Sequence, residues 1–368
     1  MDFIIFDDIY RDKNVLITGN TGFKGSWLSI WLNRLGANVY GISNDIPTNP
    51  SLYKESSLKS KINFNSCDIR NLDKIKSLIN DIKPDFIFHL AAQPIVSESY
   101  KNPIETIETN VIGTANILES LRFINFDCNC IIITSDKCYE NIEQVWGYKE
   151  NDYLGGKDIY SGSKASAEII FKSYYHSFFK NNKNVKLASV RAGNVIGGGD
   201  WADNRIVPDC ILSWYNKKSV EIRSPESTRP WQHVLEPLSG YLLLGSKLVK
   251  QNSLSGSSFN FGPQSETSKT VQELIYDLSE IWNLKFNPCI INKPKDAFHE
   301  AGLLKLNCDK ALFEINWTPN LEYQDLINFT SSWYYDFYYS KFNSYLYTKN
   351  QIISYEKIAF KNKKPWIK

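Results

Sequence analysis

The sequence lacks several features that would assign it to one of the simpler functional classes. Its seven cysteines contain no CxxC pair and its four histidines form no cluster, so neither a disulfide framework nor a metal site is predicted. No apolar run approaches the length of a membrane span, and the start MDFIIFDDIY is acidic where a signal peptide is basic. The formal net charge is only +2, without a basic stripe before the last dozen residues. We therefore expect a soluble cytoplasmic protein that binds neither nucleic acid nor a membrane.

What the chain does contain, from residue 14 to about 190, is an alternation of short apolar runs with longer amphipathic segments. The predicted strands share a buried, apolar character and cover residues 14–18, 38–43, 86–90, 130–134 and 186–190. Strands that are apolar on both faces need helices on both faces. The pattern thus predicts an α/β fold, a Rossmann-type doubly wound parallel sheet with a smaller C-terminal substrate-binding lobe.

After residue 190 the alternation is less regular, and turn-rich stretches such as GGGDWADN separate the elements. HVLEPLSGYLLLGSKLV and TVQELIYDLSEIW are typical of helices, and SSFNFG of one more strand. We predict that residues 10–190, with about 231–262, form an NAD-binding domain, and that about 191–230 and 263–368 form a sugar-nucleotide-binding lobe. The aromatic stretch WYYDFYYSKFNSYLYTKN is predicted to be a C-terminal helix whose aromatic face packs on the lobe.

The stretch TGNTGFKG follows the first predicted strand directly and opens a helix. Its Gly19, Gly22 and Gly25 have a GxxGxxG spacing, which lets a backbone approach the pyrophosphate of a dinucleotide at a helix N-terminus. Lys24, within the same loop, lies near the phosphates or is solvated. Asp45 follows the second strand and is the candidate for the ribose hydroxyls, with no arginine nearby for a 2′-phosphate. The loop therefore predicts a dinucleotide cofactor, with NAD favoured over NADP.

Two further groups of polar residues carry chemistry. Ser135, Asp136 and Lys137 end the buried run IIIT, so that a hydroxyl, a carboxylate and an ammonium are adjacent at the edge of the sheet. Tyr160 and Lys164 of YSGSK lie one helical turn apart on one face. An ammonium beneath a phenol, with a bound nicotinamide cation, lowers the pKa of the phenol, which then accepts a proton from a substrate hydroxyl.

With these motifs in place, the chain resembles the extended short-chain dehydrogenase/reductase family over nearly its whole length. TGNTGFKG, CDIRN, HLAAQP, TNVIGT, TSDKCY, YSGSK and VRAGNVIGGGDW stand in the family's order and spacing. Within the family, TGFKGSWL, TSDKCYEN and TRPWQHVLEPLSGYL are similar to the sugar-nucleotide 4,6-dehydratases that act on CDP-glucose. The resemblance implies a tightly held NAD, a homodimer or homotetramer, and a role in surface polysaccharide synthesis.

The resemblance also implies a mechanism in three steps. Tyr160, with Lys164, deprotonates the sugar 4-hydroxyl during oxidation at C4, water is eliminated across C5–C6, and hydride returns to C6. Ser135 hydrogen-bonds the 4-oxygen. We expect Asp136 to be the acid at the C6 hydroxyl and Lys137 the base at C5, although the reverse assignment stays open. Related dTDP-glucose enzymes carry Asp-Glu here, and a lysine acts as a base only in its neutral form.

Other binding residues are implied by position in the family motifs. On the cofactor side these are Gly19, Thr21, Gly22, Phe23, Lys24, Gly25, Asp45, Asp68, Ile69, Ala91, Ala92, Gln93 and Asn110, with Tyr160 and Lys164. On the substrate side they are Asn194, Arg205 and Arg229, the arginines because a guanidinium fork suits a diphosphate.

Three alternatives remain at this stage. A sugar-nucleotide 4-epimerase would have no use for an acid/base pair after the strand, and a dinucleotide-sensing regulator would have no use for Tyr160 and Lys164 in register with Ser135. A 4,6-dehydratase of another nucleotide sugar is the third, because the sequence contains no readable code for the nucleobase or for the C5 stereochemistry.

Overall fold

The computed structural model describes residues 3–263, 269–292 and 303–368. Its strands, numbered in chain order, are β1 (Asn14–Thr18), β2 (Asn38–Ser43), β3 (Asn63–Ser66), β4 (Phe86–His89), β5 (Cys128–Ile133), β6 (Val185–Ala192), β7 (Val195–Ile196), β8 (Val220–Ile222), β9 (Thr228–Arg229), β10 (Gln232–His233), β11 (Ser258–Phe261), β12 (Lys269–Thr270) and β13 (Cys289–Ile291).

The α-helices of the described residues are α1 (Phe23–Arg34), α2 (Leu52–Glu55), α3 (Leu72–Ile82), α4 (Val96–Lys101), α5 (Pro103–Ile107), α6 (Gly113–Leu121), α7 (Ile159–Tyr174), α8 (Ile206–Tyr215), α9 (Leu235–Lys250), α10 (Val271–Trp282), α11 (Asp309–Ile315), α12 (Tyr323–Tyr339) and α13 (Ser344–Lys361). A π-helical turn, Glu108–Ile112, joins α5 to α6.

Seven of the strands form one parallel sheet in the order β11-β6-β5-β4-β1-β2-β3. This confirms the predicted α/β class and the strand made by SSFNFG. The strand order reverses between β1 and β4, and in such sheets ligands bind at the carboxyl ends of the strands beside the reversal. β5 lies next to β4 in that row, so the loops after β1, β4 and β5 meet on one edge.

Strand β3 was not predicted. Its sequence, Asn63-Phe64-Asn65-Ser66, has one apolar residue in four, and it lies at the edge of the sheet with no residue fully buried. Apolar runs identify strands that are covered on both faces, whereas this strand is held by backbone pairing with β2.

Two hydrophobic clusters cover the two faces of the sheet. One joins α1 and α9 to the C-terminal helices around large buried side chains such as Trp27, Trp31 and Tyr241. The other packs α3 and α6 on the opposite face, around Ile75, Ile79 and Leu118. The sheet is thereby held rigidly between helical layers, and its carboxyl edge is left for the functional loops.

The aromatic C-terminal stretch differs from its prediction. It spans two helices, because α12 ends at Tyr339 and α13 begins at Ser344 with Asn343 as its N-cap. The first packs on α10, where the Ser331 hydroxyl donates to the Leu278 carbonyl at 2.8 Å. The second packs on α1 of the sheet instead, through Tyr355 and Trp31.

The proposed division into an NAD-binding domain and a lobe stays a prediction. Within the described residues, no helix combines the length and apolarity that a membrane crossing requires. In the same part of the chain, no group of three or more His, Cys, Asp or Glu side chains is arranged to hold a metal ion.

Candidate active site

The glycine loop connects β1 to α1 and packs closely against the backbone of the loop after β4. Gly19 has φ +72°, and a Cβ there would lie 2.8 Å from the backbone of Ala91. A Cβ on Gly25 would lie 2.2 Å from the Gly19 carbonyl oxygen, whereas one on Gly22 meets its nearest atom at 3.4 Å. Gly19 and Gly25 therefore fix the fold of the loop, and Gly22, the N-cap of α1, leaves the helix terminus open to a ligand.

Lys24 is half-buried at the start of α1 and is not a solvated side chain. Burial lowers its pKa to about 8, with Arg205 and Lys164 acting in the same direction and Asp136 opposing them. Lys24 is therefore close enough to Asp136 for the two charges to interact. Its neighbour Phe23 faces Gly197, in the segment that leads to α8.

The residues predicted to contact the adenosine part of NAD follow β2 and β3 in the sequence. Asp45 is exposed just after β2, and its backbone carbonyl accepts a hydrogen bond from the Thr21 hydroxyl at 2.7 Å. Asp68 follows β3 and pairs with Arg70 (Nη2–Oδ2 2.7 Å), an interaction that lowers the Asp68 pKa. Ile69 is buried against Gly113 at the start of α6.

The loop after β4 runs beside the glycine loop. Ala91, Ala92 and Gln93 are half-exposed there, and the Ala91 amide donates to the Thr18 hydroxyl oxygen at 3.0 Å. Asn110 holds this loop from beneath: it accepts from the Gln93 amide at 2.8 Å and donates to the Ser163 hydroxyl oxygen at 2.9 Å. Because Asn110 is buried and both ends of its amide are bonded, it braces the loop against α7.

The Ser-Asp-Lys segment forms a single 3₁₀ turn at the end of β5. Ser135 caps this turn: its oxygen accepts from the Lys137 amide at 3.2 Å, while its hydroxyl donates to Asp136 Oδ1 at 2.9 Å. Asp136 is only 4% exposed, and Lys137 is half-buried. Burial raises the pKa of Asp136, against the influence of Lys137, so this carboxyl retains its proton at a higher pH than an ordinary aspartic acid.

Tyr160 and Lys164 meet this turn from α7. The Lys164 ammonium lies 6.0 Å from the centre of the Tyr160 ring, and both residues are buried. Burial lowers the pKa of Lys164 to about 8. Burial also raises the pKa of Tyr160 to about 12, although a hydrogen bond with Ser135 opposes this.

The protein's own groups thus raise the Tyr160 pKa, and its lowering beside a nicotinamide cation stays a prediction. Desolvation of the phenolate, together with the nearby Asp136 carboxylate, outweighs the stabilisation by Ser135 and Arg205.

The three predicted substrate residues lie on segments that adjoin this turn. Arg205 pairs with Asp200 (Nη1–Oδ2 2.8 Å) and lies close enough to Tyr160 to lower its pKa. Asn194 is half-buried beyond Gly193, where a Cβ would lie 3.0 Å from Asp136 Oδ2. Arg229 is half-buried in β9, next to Pro230.

The structure thus brings Lys24, Ser135, Asp136, Lys137, Tyr160, Lys164 and Arg205 to one place. A cavity of about 160 Å³ is lined by Thr228, Pro230 and Leu303, among other residues, but by none of the seven residues named above.

Sequence reasoning missed two kinds of residue here. Asp200, the partner of Arg205, stands in the quoted stretch GGGDW but was not singled out. Glu168 and Arg191 form an ion pair directly behind the turn, with neither side chain exposed. Glu168 follows Lys164 by four residues, a spacing that could have signalled its place on the same face of α7.

Comparison with known proteins bears on the whole chain. A sequence model of a protein family described as GDP-mannose 4,6 dehydratase matches residues 16–330. CDP-glucose 4,6-dehydratase from Salmonella typhimurium is 44% identical over 320 residues, which cover 86% of this chain and 89% of that protein.

Solved structures resemble the fold at lower identity. UDP-glucuronic acid 4-epimerase from Bacillus cereus, in complex with UDP-glucuronic acid and NAD, has a TM-score of 0.75 at 23% identity and covers 88% of this chain and 99% of its own. dTDP-glucose 4,6-dehydratase from Bacillus anthracis, in complex with NAD, has a TM-score of 0.72 at 20% identity, with coverages of 88% and 97%. At these identities the likeness establishes the fold.

Proposed function

The chain belongs to the GDP-mannose 4,6 dehydratase family, within the extended short-chain dehydrogenases/reductases, and from this premise we propose that it is an NAD-dependent CDP-glucose 4,6-dehydratase. The reaction converts CDP-glucose to CDP-4-keto-6-deoxyglucose and water, so the enzyme is a lyase. The observation that carries the proposal is the placement of Ser135, Asp136 and Lys137 against Tyr160, in a chain 44% identical to a CDP-glucose 4,6-dehydratase. A 4-epimerase needs Tyr160 but has no use for the acid/base pair.

The residues present fit NAD. The open N-terminus of α1 at Gly22, with Lys24 in its first turn, suits a pyrophosphate, and the exposed Asp45 carboxylate suits a ribose diol. When bound, NAD supplies the acceptor for the hydride of sugar C4 and the donor that returns it to C6. The residues that would hold it are those of the glycine loop, Asp45, Asp68, Ile69, the loop Ala91–Gln93 braced by Asn110, and Tyr160 and Lys164.

Tyr160 accepts the proton of the sugar 4-hydroxyl, with Ser135 bonded to the same oxygen. Since the pKa of Tyr160 is about 12 with the protein's own groups, its phenolate needs cationic neighbours. Lys164 is one such neighbour at 6.0 Å from the ring centre. Arg205 is another, and its interaction with Tyr160 acts to lower the phenol pKa.

The elimination needs a proton donor at the C6 hydroxyl and a base at C5. Asp136 is the donor, because burial raises its pKa and so favours the protonated carboxyl. Lys137, the next residue on the turn and half-buried, is the base. Asn194, Arg205 and Arg229 bind the sugar nucleotide, the arginines through its diphosphate.

Two further properties are part of the proposal. We place the enzyme in the cytoplasm, where its sugar-nucleotide substrate is made and used. We also infer a homodimer formed through the helices of the sheet domain, which carry exposed apolar side chains on α5, the π-helical turn and α7, namely Ile104, Ile107, Ile112, Ile159 and Ile169.

The proposal is tested by incubating the protein with catalytic NAD and CDP-glucose, and detecting the 4-keto-6-deoxy product by its absorbance in alkali. UDP-, dTDP- and GDP-glucose are run in parallel, with Lys137→Ala and with Lys180→Ala, an exposed lysine just beyond α7, as the matched control. Product from CDP-glucose, kept in the control and lost in Lys137→Ala, is expected. Product from another nucleotide alone would remove the CDP assignment, and epimer formation without dehydration would make the chain an epimerase.

A further inference from the structure

Behind the reacting residues, α7 carries a third polar side chain on the face that bears Tyr160 and Lys164. Glu168 follows Lys164 by one helical turn, and its side chain is 0% exposed. A carboxylate at such depth is retained only where charge and hydrogen bonds replace water. The partners of Glu168 therefore indicate what it does.

Those partners come from three neighbouring strands of the sheet. The Thr134 hydroxyl at the end of β5 donates to Oε1 at 2.6 Å, and the Ser189 hydroxyl on β6 donates to Oε2 at 2.9 Å. The Ser258 hydroxyl on β11 lies 3.2 Å from Oε2. Thr134 immediately precedes Ser135, so Glu168 bonds α7 directly to the residue before the Ser-Asp-Lys turn.

The negative charge of Glu168 is balanced by Arg191 of β6, whose Nη2 lies 2.8 Å from Oε2 with its side chain 0% exposed. Burial acts to raise the Glu168 pKa, but Arg191 and the hydroxyl donors hold it below the usual range, so the carboxylate stays ionised. The guanidinium also donates from Nη1 to the Tyr139 hydroxyl oxygen at 2.7 Å.

We propose that Glu168 is a positioning residue, which clamps α7 to the end of β5 and supplies the buried negative charge that keeps Lys164 an ammonium beneath Tyr160. Its significance for catalysis rests on the proposed function, since that reaction needs a charged Lys164 beside the phenolate.

Several other groups face Lys164 or lie close to it. They are Tyr160 on its own helix, Cys138 after β5, His89 at the end of β4 and Lys24 on α1. His89 is buried between the Thr18 and Thr114 hydroxyls, and burial lowers its pKa to about 3, so it is neutral. Burial raises the pKa of the Cys138 thiol, so it is neutral as well. Lys24 is cationic and disfavours a positive charge on Lys164. Among these groups, Glu168 is therefore the ionised acid that favours the ammonium form of Lys164.

The test measures the ionisation of Lys164 without substrate or cofactor, so that it does not depend on dehydratase activity. Protein labelled with carbon-13 at the lysine ε-carbon is titrated by NMR, and the Lys164 signal is assigned with Lys164→Met. Glu168→Gln retains hydrogen-bonding groups but removes the charge, and we expect the Lys164 pKa to fall by about one pH unit or more. Glu168→Asp keeps the charge, and Lys164 should then titrate within about half a pH unit of wild type.

A Lys164 pKa that is unchanged in Glu168→Gln would overturn the proposal. So would an equal fall in Glu168→Asp, because it would assign the effect to lost packing and not to charge. If Glu168→Gln does not fold, the double variant Glu168→Gln/Arg191→Gln, which leaves no uncompensated charge, replaces it. A smaller fall of the Lys164 pKa is then expected, because the cation of Arg191 is lost together with the carboxylate.

A second readout uses CDP-glucose. The alkaline limit of kcat in Glu168→Gln should move to lower pH by the same amount as the Lys164 pKa, with KM little changed. A loss of kcat that is uniform over pH would again mean a purely structural role.

Discussion

The glycine loop allows two neighbouring substitutions to separate packing from ligand binding. In Gly25→Ala the new methyl group would lie 2.2 Å from the Gly19 carbonyl oxygen and 2.7 Å from the Asn20 Cα. Both are backbone atoms of the loop between β1 and α1, so α1 or the loop has to move by about 1 Å. Overpacking of this kind costs about 1–3 kcal/mol, and we expect the upper end because no flexible side chain can yield.

In Gly22→Ala the methyl group meets the Gly19 carbonyl oxygen at 3.4 Å, an ordinary contact. The free energy of unfolding should therefore fall by less than about 1 kcal/mol, the cost of a poorer N-cap. The same methyl group occupies the surface where a pyrophosphate would approach the backbone, so NAD affinity should fall by about tenfold or more.

Urea unfolding followed by circular dichroism measures the first quantity, and calorimetric titration with NAD the second. A Gly25→Ala protein as stable as wild type would refute the packing described for the loop. Full NAD affinity in Gly22→Ala would refute the placement of the pyrophosphate.

Three further predictions concern the chemistry, the stability and the assembly. In Asp136→Asn, the rate of dehydration of CDP-glucose should fall by about 10²-fold or more while oxidation at C4 continues. Reduced nicotinamide, which absorbs at 340 nm, should therefore accumulate. Product formation at the wild-type rate would contradict the role of Asp136 as the acid. Burial raises the pKa of Glu236 from 4.5 to about 7. The native state then binds the extra proton, and this group should lower the free energy of unfolding by about 3 kcal/mol as pH rises from 4.5 to 7. Urea midpoints across that range should vary less in Glu236→Gln, and an unchanged slope would rule the group out. Ile104→Glu should yield monomers by light scattering, whereas Phe313→Glu, at another exposed apolar site, should not; a dimer in both would place the interface elsewhere.

Much of the fold could be predicted because the central strands are covered on both faces and read as apolar runs. β1 and β2 have the predicted bounds, and β5 begins two residues before its predicted start. β3 was not predicted, because a strand held at the edge of a sheet by backbone pairing has no apolar pattern in its sequence. The break between α12 and α13 was missed because aromatic residues continue across it, although Asn343 carries the N-cap signal of the second helix.

The residues that we propose to react could be identified from the sequence for a related reason: in a parallel sheet, polar residues that end a buried strand must meet at one edge. Their protonation states could not be predicted from the sequence, because these depend on burial and on partners that are distant in sequence. Tyr160 and Lys164 were expected to favour the phenolate together, yet burial acts against both charged forms, raising one pKa to about 12 and lowering the other to about 8.

A site with a buried lysine ammonium needs a buried negative charge, which we assign to Glu168. The register of β5, β6 and β11 places the hydroxyls of Thr134, Ser189 and Ser258 around its carboxylate. None of these contacts has a local sequence signature, since each joins Glu168 on α7 to a residue of a different strand or strand end. The spacing of Glu168 four residues after Lys164 was visible in the sequence, but its meaning depended on Arg191, which lies 23 positions further on. The effect that we propose for Glu168 on Lys164 thus depends on the tertiary fold, because the groups that keep this carboxylate ionised come from separate strands.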